Sequence, residues 1–120
     1  MKTFAPGETL APYQCPVTAT MRLIGGKWKM IILWCITNEV NRFGELQRAI
    51  PAITKKVLTE ELRALESDGL ITRTVYPGLP LKVEYHITSL GETLRPMLNS
   101  MANWGEQYAI PTQASATVGD

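Results

Sequence analysis

Apolar residues recur along this chain first at helical spacing and then at strand spacing. Cys15-Pro16 opens a segment in which Val17, Met21 and Ile24 repeat every three or four residues until Gly25-Gly26. That predicts a short helix with proline at its first position. A second helix, from about Lys27 to Thr37, carries Trp28, Ile31, Ile32 and Cys35 on one face. From Arg42 to Ile50 the apolar positions are Phe43, Leu46 and Ile50, while Arg42, Glu45 and Arg48 stay polar, the pattern of an amphipathic helix of about two turns. Pro51 has no amide hydrogen and disfavours a helical Ile50, so the helix ends there and Ala52 and Ile53 cross a turn. Thr54 suits an N-cap for a helix from Lys55 to about Asp68, with Leu58, Leu62 and Leu65 as its buried stripe and Gly69 as its stop.

After Gly69 the period changes to two. Leu70 to Tyr76 is rich in β-branched residues, and Val83, Tyr85 and Ile87 alternate with Lys82, Glu84 and His86. Joined through Pro77, Gly78, Leu79 and Pro80, these segments predict an antiparallel hairpin. The expected fold is therefore mainly α with a small β-hairpin wing: a winged helix-turn-helix. A last helix is expected from Thr88 or Ser89 to about Tyr108, with Ser89 and Glu92 at capping-box spacing and Pro96 bending it. Leu90, Leu94, Met97, Met101, Trp104 and Tyr108 step by four and three along it, a seam that favours packing against a second copy across a two-fold axis. The domain so defined spans residues 15–109, between a flexible N-terminal arm, 1–14, and a flexible C-terminal tail, 110–120.

Composition narrows the function. A length of 120 residues suits one domain, and a net charge of +1 argues against coating nucleic acid by bulk electrostatics, so any DNA binding must rest on local charge. The charge is segregated: Arg42, Arg48, Lys55 and Lys56 face only Glu45 between positions 42 and 56, whereas Glu60 to Asp68 holds four acids against Arg63 alone. Rotation by 100° per residue sets Lys56, Thr59, Glu60, Arg63 and Ser67 opposite the leucine stripe, with Lys55 at the edge. A recognition helix enters the major groove by its N-terminal end, where lysines, a hydroxyl and the positive end of the dipole meet phosphates or base edges. The candidate DNA contacts are thus Arg42, Thr54, Lys55, Lys56, Thr59 and Arg63, with Arg73 and Lys82 on the wing positioning the helix through phosphates. A solvated helix face and a soluble ribbon are the competing readings of these residues.

No apolar run approaches a membrane span and no signal-peptide pattern opens the chain; the expected compartment is the cytoplasm. Two cysteines and His86 cannot form a four-ligand zinc cluster, and the single histidine has no evident acid or nucleophile beside it on its strand. No metal, no cofactor and no enzymatic activity are expected.

Taken together, CPV at Cys15, IGGKW at Ile24, RFGEL at Arg42, LTEELRALESDGLITR from Leu58 and VEYHIT at Val83 resemble the HxlR-type winged-helix transcriptional regulators. The similarity runs in unbroken order from about Cys15 to Tyr108. It implies a bacterial or archaeal homodimer, related in fold to MarR-like regulators, that binds a pseudo-palindromic double-stranded operator, with the recognition segment on Thr54 to Thr59, the wing on Arg73 to Lys82 and the dimer helices at both ends. Two positions depart from the family pattern: Leu81 stands where a second proline often precedes VEY, and Thr54 where the cap is commonly serine.

Cys15 sits at a helix start, where unpaired amides and the dipole favour a thiolate. Some proteins of the family sense oxidants or electrophiles such as quinones and aldehydes through a cysteine at this place, so the resemblance makes Cys15 the candidate redox sensor. A small, partly buried residue seating the helix is the alternative. Cys35, beside Ile31 and Ile32, reads as an inert core thiol. Pairing of Cys15 with Cys35, with a partner cysteine or with a small thiol all stay open. So do a reversible small-molecule effector held among Trp28, Trp34, Met97 and Trp104, and a winged helix that serves as a protein-interaction module.

Overall fold

The computed structural model describes residues 5–9, 11 and 14–113; positions 1–4, 10, 12 and 13 of the expected N-terminal arm and 114–120 of the tail lie outside the described residues. The element order is α1 (Pro16–Ile24), α2 (Lys29–Thr37), α3 (Phe43–Ala49), α4 (Lys55–Ser67), β1 (Ile71–Tyr76), β2 (Lys82–Ile87), α5 (Ser89–Glu92) and α6 (Arg95–Trp104). The helix then widens into a π-helical stretch, Gly105–Ala109, and continues to residue 113, past the boundary expected at 109. This is the winged helix-turn-helix that the periodicity predicts.

The core forms where the stripes of four helices meet the inner face of the hairpin. Ile32, Leu33, Leu46, Leu58, Leu65 and Ile71 are fully buried, with Ile36, Ile50, Leu62, Tyr85 and Leu98 nearly so. Burying each such aliphatic side chain contributes about 2 kcal/mol. The hairpin pairs Ile71 with Ile87, Arg73 with Tyr85 and Tyr76 with Lys82. One bond joins it to the α2–α3 connection: the Tyr85 amide donates to the Asn41 carbonyl at 2.9 Å.

Two helices end in the same way with different residues. In α4 the Gly69 and Leu70 amides donate to the Glu66 and Leu65 carbonyls, and Gly69 has φ +77°. This is the Schellman closure, and it places glycine where the sequence puts the stop. In α2 the Glu39 and Val40 amides donate to Ile36 and Cys35 in the same pattern, and Glu39 adopts φ +68°. A glutamate there gave no stop signal in the sequence.

Three expectations are corrected. The final helix is not one bent rod: after α5, the Thr93 and Leu94 amides bond three residues back, to Leu90 and Gly91, and α6 starts afresh with Pro96 in its first turn. Proline costs no hydrogen bond there, so it ends up beginning a helix rather than bending one. Thr88, not Ser89, is the cap, accepting from the Gly91 amide at 3.0 Å, while Glu92 pairs forward with Arg95 at 2.7 Å. The expected inward faces of α1 and α2 also shift. Val17 is 70% exposed and Met21 is exposed with it, leaving Ile24 as the buried residue of α1; in α2 Ile31 turns outward while Ile32, Leu33 and Ile36 turn inward.

The seam of the last helix divides likewise. Of the expected residues Leu94 alone packs on the core, whereas Leu90, Met97, Met101, Trp104 and Tyr108 are exposed; the residue buried in α6 is Leu98, which lay outside the expected seam.

Candidate nucleic-acid interface

The first turn of α4 is built by Thr54, whose extended backbone turns the chain out of the α3–α4 connection and whose Oγ1 accepts from the Val57 amide at 3.1 Å. That bond satisfies one of the amides a helix start leaves unpaired. Lys55 and Lys56 follow it, both exposed, and Thr59 and Arg63 continue the outward face. Thr59 Oγ1 donates to the Lys55 carbonyl at 2.8 Å. Its hydrogen is therefore engaged, and what it offers outward is a methyl group and oxygen lone pairs. Leu58, Leu62 and Leu65 anchor the opposite face, so these side chains are held on a rigid element.

A groove of about 450 Å³ runs between this helix and the hairpin, lined by Phe43, Thr59, Leu62, Arg63, Glu66, Arg73 and Tyr85. Arg73 reaches it because it stands opposite Tyr85, on the face of the ribbon that turns toward α4. Lys82 belongs to the other face, since its register partner is Tyr76. There its ammonium lies 5.0 Å from the Tyr76 ring centroid and 3.8 Å from Glu84. Glu84 also approaches His86 at 3.6 Å, and its hydrogen bond and charge push the Tyr76 hydroxyl pKa up. Of the candidate contacts, the fold thus gathers Thr59, Arg63 and Arg73 around one groove and sends Lys82 elsewhere. Arg42 stands at the start of α3, 3.9 Å from Glu45.

Sequence reasoning missed two residues. Glu84 organises the outer face of the wing, and only the register reveals its neighbours. Glu61, on the acidic half of α4, reaches Lys29 at the start of α2 at 3.6 Å; the charge pattern showed the acid but not its distant cation.

The model for the HxlR-like helix-turn-helix family matches residues 23–113. The chain belongs to that family. Among HxlR-like relatives, it is 48% identical over 94 residues to the HTH-type transcriptional regulator YdeP of Bacillus subtilis, covering 78% of this chain and 73% of that protein. It is 45% identical over 97 residues to YkvN of the same organism, covering 81% and 82%. Similar solved structures include the redox regulator HypR in its oxidised form, with TM-score 0.75, 46% identity, and coverage of 78% of this chain and 96% of that one. The transcriptional regulator YodB from B. subtilis in its reduced form has TM-score 0.67, 33% identity, and coverage of 81% and 96%. The chain is thus a helix-turn-helix transcriptional regulator of the DNA-binding HxlR kind. Among the described residues no helix is long and apolar enough to cross a membrane, and no group of three or more His, Cys, Asp or Glu could hold a metal.

Both cysteines are free thiols, and their surroundings push them apart. Cys15 is the N-cap of α1: its Sγ accepts from the Thr18 amide at 3.4 Å. Hydrogen bonding from Thr18 holds its pKa below the usual thiol value, as expected for a sulfur facing open helix amides. Burial alone pushes Cys35 up. The four residues considered for a small effector are not gathered: Trp34 lines an apolar groove with Met30, Ile31, Leu98, Met101 and Ala102, while Trp104 borders another with Tyr108, Ala109, Thr112 and Gln113.

Proposed function

We propose that this chain is a homodimeric repressor that binds a pseudo-palindromic operator through Thr54, Lys55, Lys56, Thr59, Arg63 and Arg73, with Arg42 and Lys82 in lesser, phosphate-facing roles, and that leaves its operator when Cys15 is modified. The observation that carries the DNA reading is the basic first turn of α4 continuing into a groove where Arg63 and Arg73 converge from two elements. Phosphates held by both would fix the rotation of α4 in the major groove.

A second copy is supported by the exposed apolar residues at the two ends of the described chain: Val17, Met21 and Leu23 on α1, and Met97, Met101, Trp104 and Tyr108 on and after α6. Helices that leave such residues outward cover them in an assembly. Cys15 caps α1 and is buried at its start, so an adduct on its sulfur removes the cap and forces bulk beneath α1, displacing its exposed face and altering the spacing of two recognition helices.

The sensing reading is favoured by the thiolate-stabilising cap at Cys15 and by similarity to a redox regulator. A quinone would add the thiolate across its ring C=C bond: the carbon–sulfur bond forms, the π electrons pass to a carbonyl oxygen that takes a proton from water, and transfer of the ring hydrogen to the second oxygen leaves a hydroquinone thioether. Fluorescence anisotropy on duplexes selected by the purified protein is the test. Tight binding that weakens with salt, release by a quinone, and resistance of Cys15→Ser to that release are the expected results. Release of Cys15→Ser as readily as wild type would remove Cys15 as the sensor. Absence of any tight duplex would remove the operator.

A further inference from the structure

The tip of the wing carries no charge. Between Arg73 and Lys82 the chain reads Thr74, Val75, Tyr76, Pro77, Gly78, Leu79, Pro80 and Leu81. Leu79, at 103%, is as exposed as a side chain can be, and Leu81, Val75 and Tyr76 are exposed beside it. Such a cluster on a loop is costly in water unless it meets an apolar surface, and phosphates offer none.

We propose that Leu79 is an apolar wedge that enters the minor groove next to the major-groove site of α4 and partly unstacks a base step there. This rests on the operator-binding reading above and assigns a new contact within it. Three observations support it. The first is reach: from Arg73, which shares the groove with α4, three strand steps of about 3.3 Å and the loop beyond them carry the tip some 10–20 Å. The adjacent minor groove lies about half of a 34 Å turn from the major groove.

The second is charge. The apolar tip is bracketed by Arg73 and Lys82 on opposite faces of the ribbon; Arg73 is available to a phosphate beside the groove, while Lys82 stays against Glu84 and Tyr76 and the uncharged tip meets the groove floor. The third is local restriction: Pro77 and Pro80 fix a backbone angle on either side of the Gly78-Leu79 pair, and Lys82 covers the Tyr76 ring at the base of the loop. A tip already short of conformational freedom loses little on insertion. Leucine and proline are residue types that act as minor-groove wedges, and insertion kinks the duplex. The step taken should be one that unstacks easily, a pyrimidine–purine step such as TA or CA.

The test uses the full chain and duplexes selected from a random pool, with wild type and Leu79→Ser compared for affinity, salt slope and bend by end-to-end energy transfer. Because Leu79 is fully exposed, the variant is expected to melt at the wild-type temperature. The expected result is a bent wild-type complex, enrichment of a pyrimidine–purine step roughly half a turn outside the α4 contact, and, in Leu79→Ser, a straighter duplex and roughly tenfold weaker binding with the salt slope kept, because no phosphate contact is lost. Unchanged affinity and bend in Leu79→Ser would overturn the wedge while leaving operator binding intact. A fall in oligomeric mass with DNA binding unchanged would overturn it too, assigning the tip to a contact between copies. If wild type selects no duplex, the operator reading falls and the wedge with it.

Discussion

Arg73 and Lys82 bracket the same wing yet lie on opposite faces of its two-stranded ribbon, Arg73 opposite Tyr85 and Lys82 opposite Tyr76. Arg73 joins Arg63 in the groove beside α4, while Lys82 is held by Glu84. The two cations should therefore weigh differently in DNA binding. Arg73→Ala is expected to lower operator affinity and to reduce the salt slope by about 0.9, the value for one phosphate contact; Lys82→Ala should change both by less. A salt titration of each variant by anisotropy checks the order.

Lys56→Ala should separate recognition from folding. Lys56 is exposed on the outward face of α4, away from the leucine stripe, so its loss should leave thermal stability within about 0.5 kcal/mol of wild type. Operator affinity should fall, and oligomeric mass should not. Unchanged function in Lys56→Ala would instead support the winged helix as a protein-interaction module.

The two thiols should both react faster as pH rises, with midpoints displaced in opposite directions. Thr18 holds the Cys15 pKa below the ordinary thiol value, and burial holds Cys35 above it. The thiolate is the reactive form, so alkylation of Cys15 should persist at a pH where an ordinary thiol has slowed and fall away only as pH drops through its lowered pKa. Cys35 should begin to react only above the ordinary range. Mass-resolved iodoacetamide labelling from pH 6 to 10 on the folded protein measures both.

Glu39 holds φ +68° in the position where Gly69 closes α4. A residue with a Cβ is disfavoured there by about 1–2 kcal/mol, part of which glycine returns by its greater unfolded entropy. Glu39→Gly should stabilise the fold by about 0.5–1 kcal/mol, read from denaturant unfolding.

Gly91 calls for the opposite substitution effect to the one its helix suggests. Inside a helix, glycine to alanine ordinarily gains about 1 kcal/mol. Here a Cβ would overlap the Leu70 carbonyl oxygen and lie 2.9 Å from Ile87 Cγ2, where Thr88 Oγ1 donates to the Gly69 carbonyl at 2.6 Å and seats α5 against the end of α4. Since the nearest atom is a backbone oxygen, the clash should outweigh the propensity, and Gly91→Ala should destabilise by about 1–3 kcal/mol.

Local chemistry wrote the helical hairpin into the sequence. Pro51, Thr54, the leucine stripe of α4 and Gly69 each act on backbone within a few residues, so a linear reading placed α3, the turn and α4 almost where they lie. The strands followed from their alternation. Pro96 is the contrasting case: whether a proline kinks a helix or starts one depends on where the preceding turn closes, and here Thr88, held by the distant Gly69 carbonyl, starts α5, whose turn closes at Thr93 and Leu94 so that α6 begins anew.

What the sequence by itself determined is therefore the fold class, the order of elements, the outward face of the recognition helix and the cysteine at a helix start. Each is set by periodicity, capping or backbone restriction over a span of about one or two turns. Only the tertiary structure decided that Arg73 joins the groove beside α4 and Lys82 does not, that Glu61 meets Lys29, that Val17 and Met21 face outward, and that of the last helix's seam Leu94 turns inward while Leu90, Met97, Met101, Trp104 and Tyr108 turn out. These depend on strand register and on which faces of distant elements meet, and hydrophobic spacing states that a face is apolar without stating what it will touch.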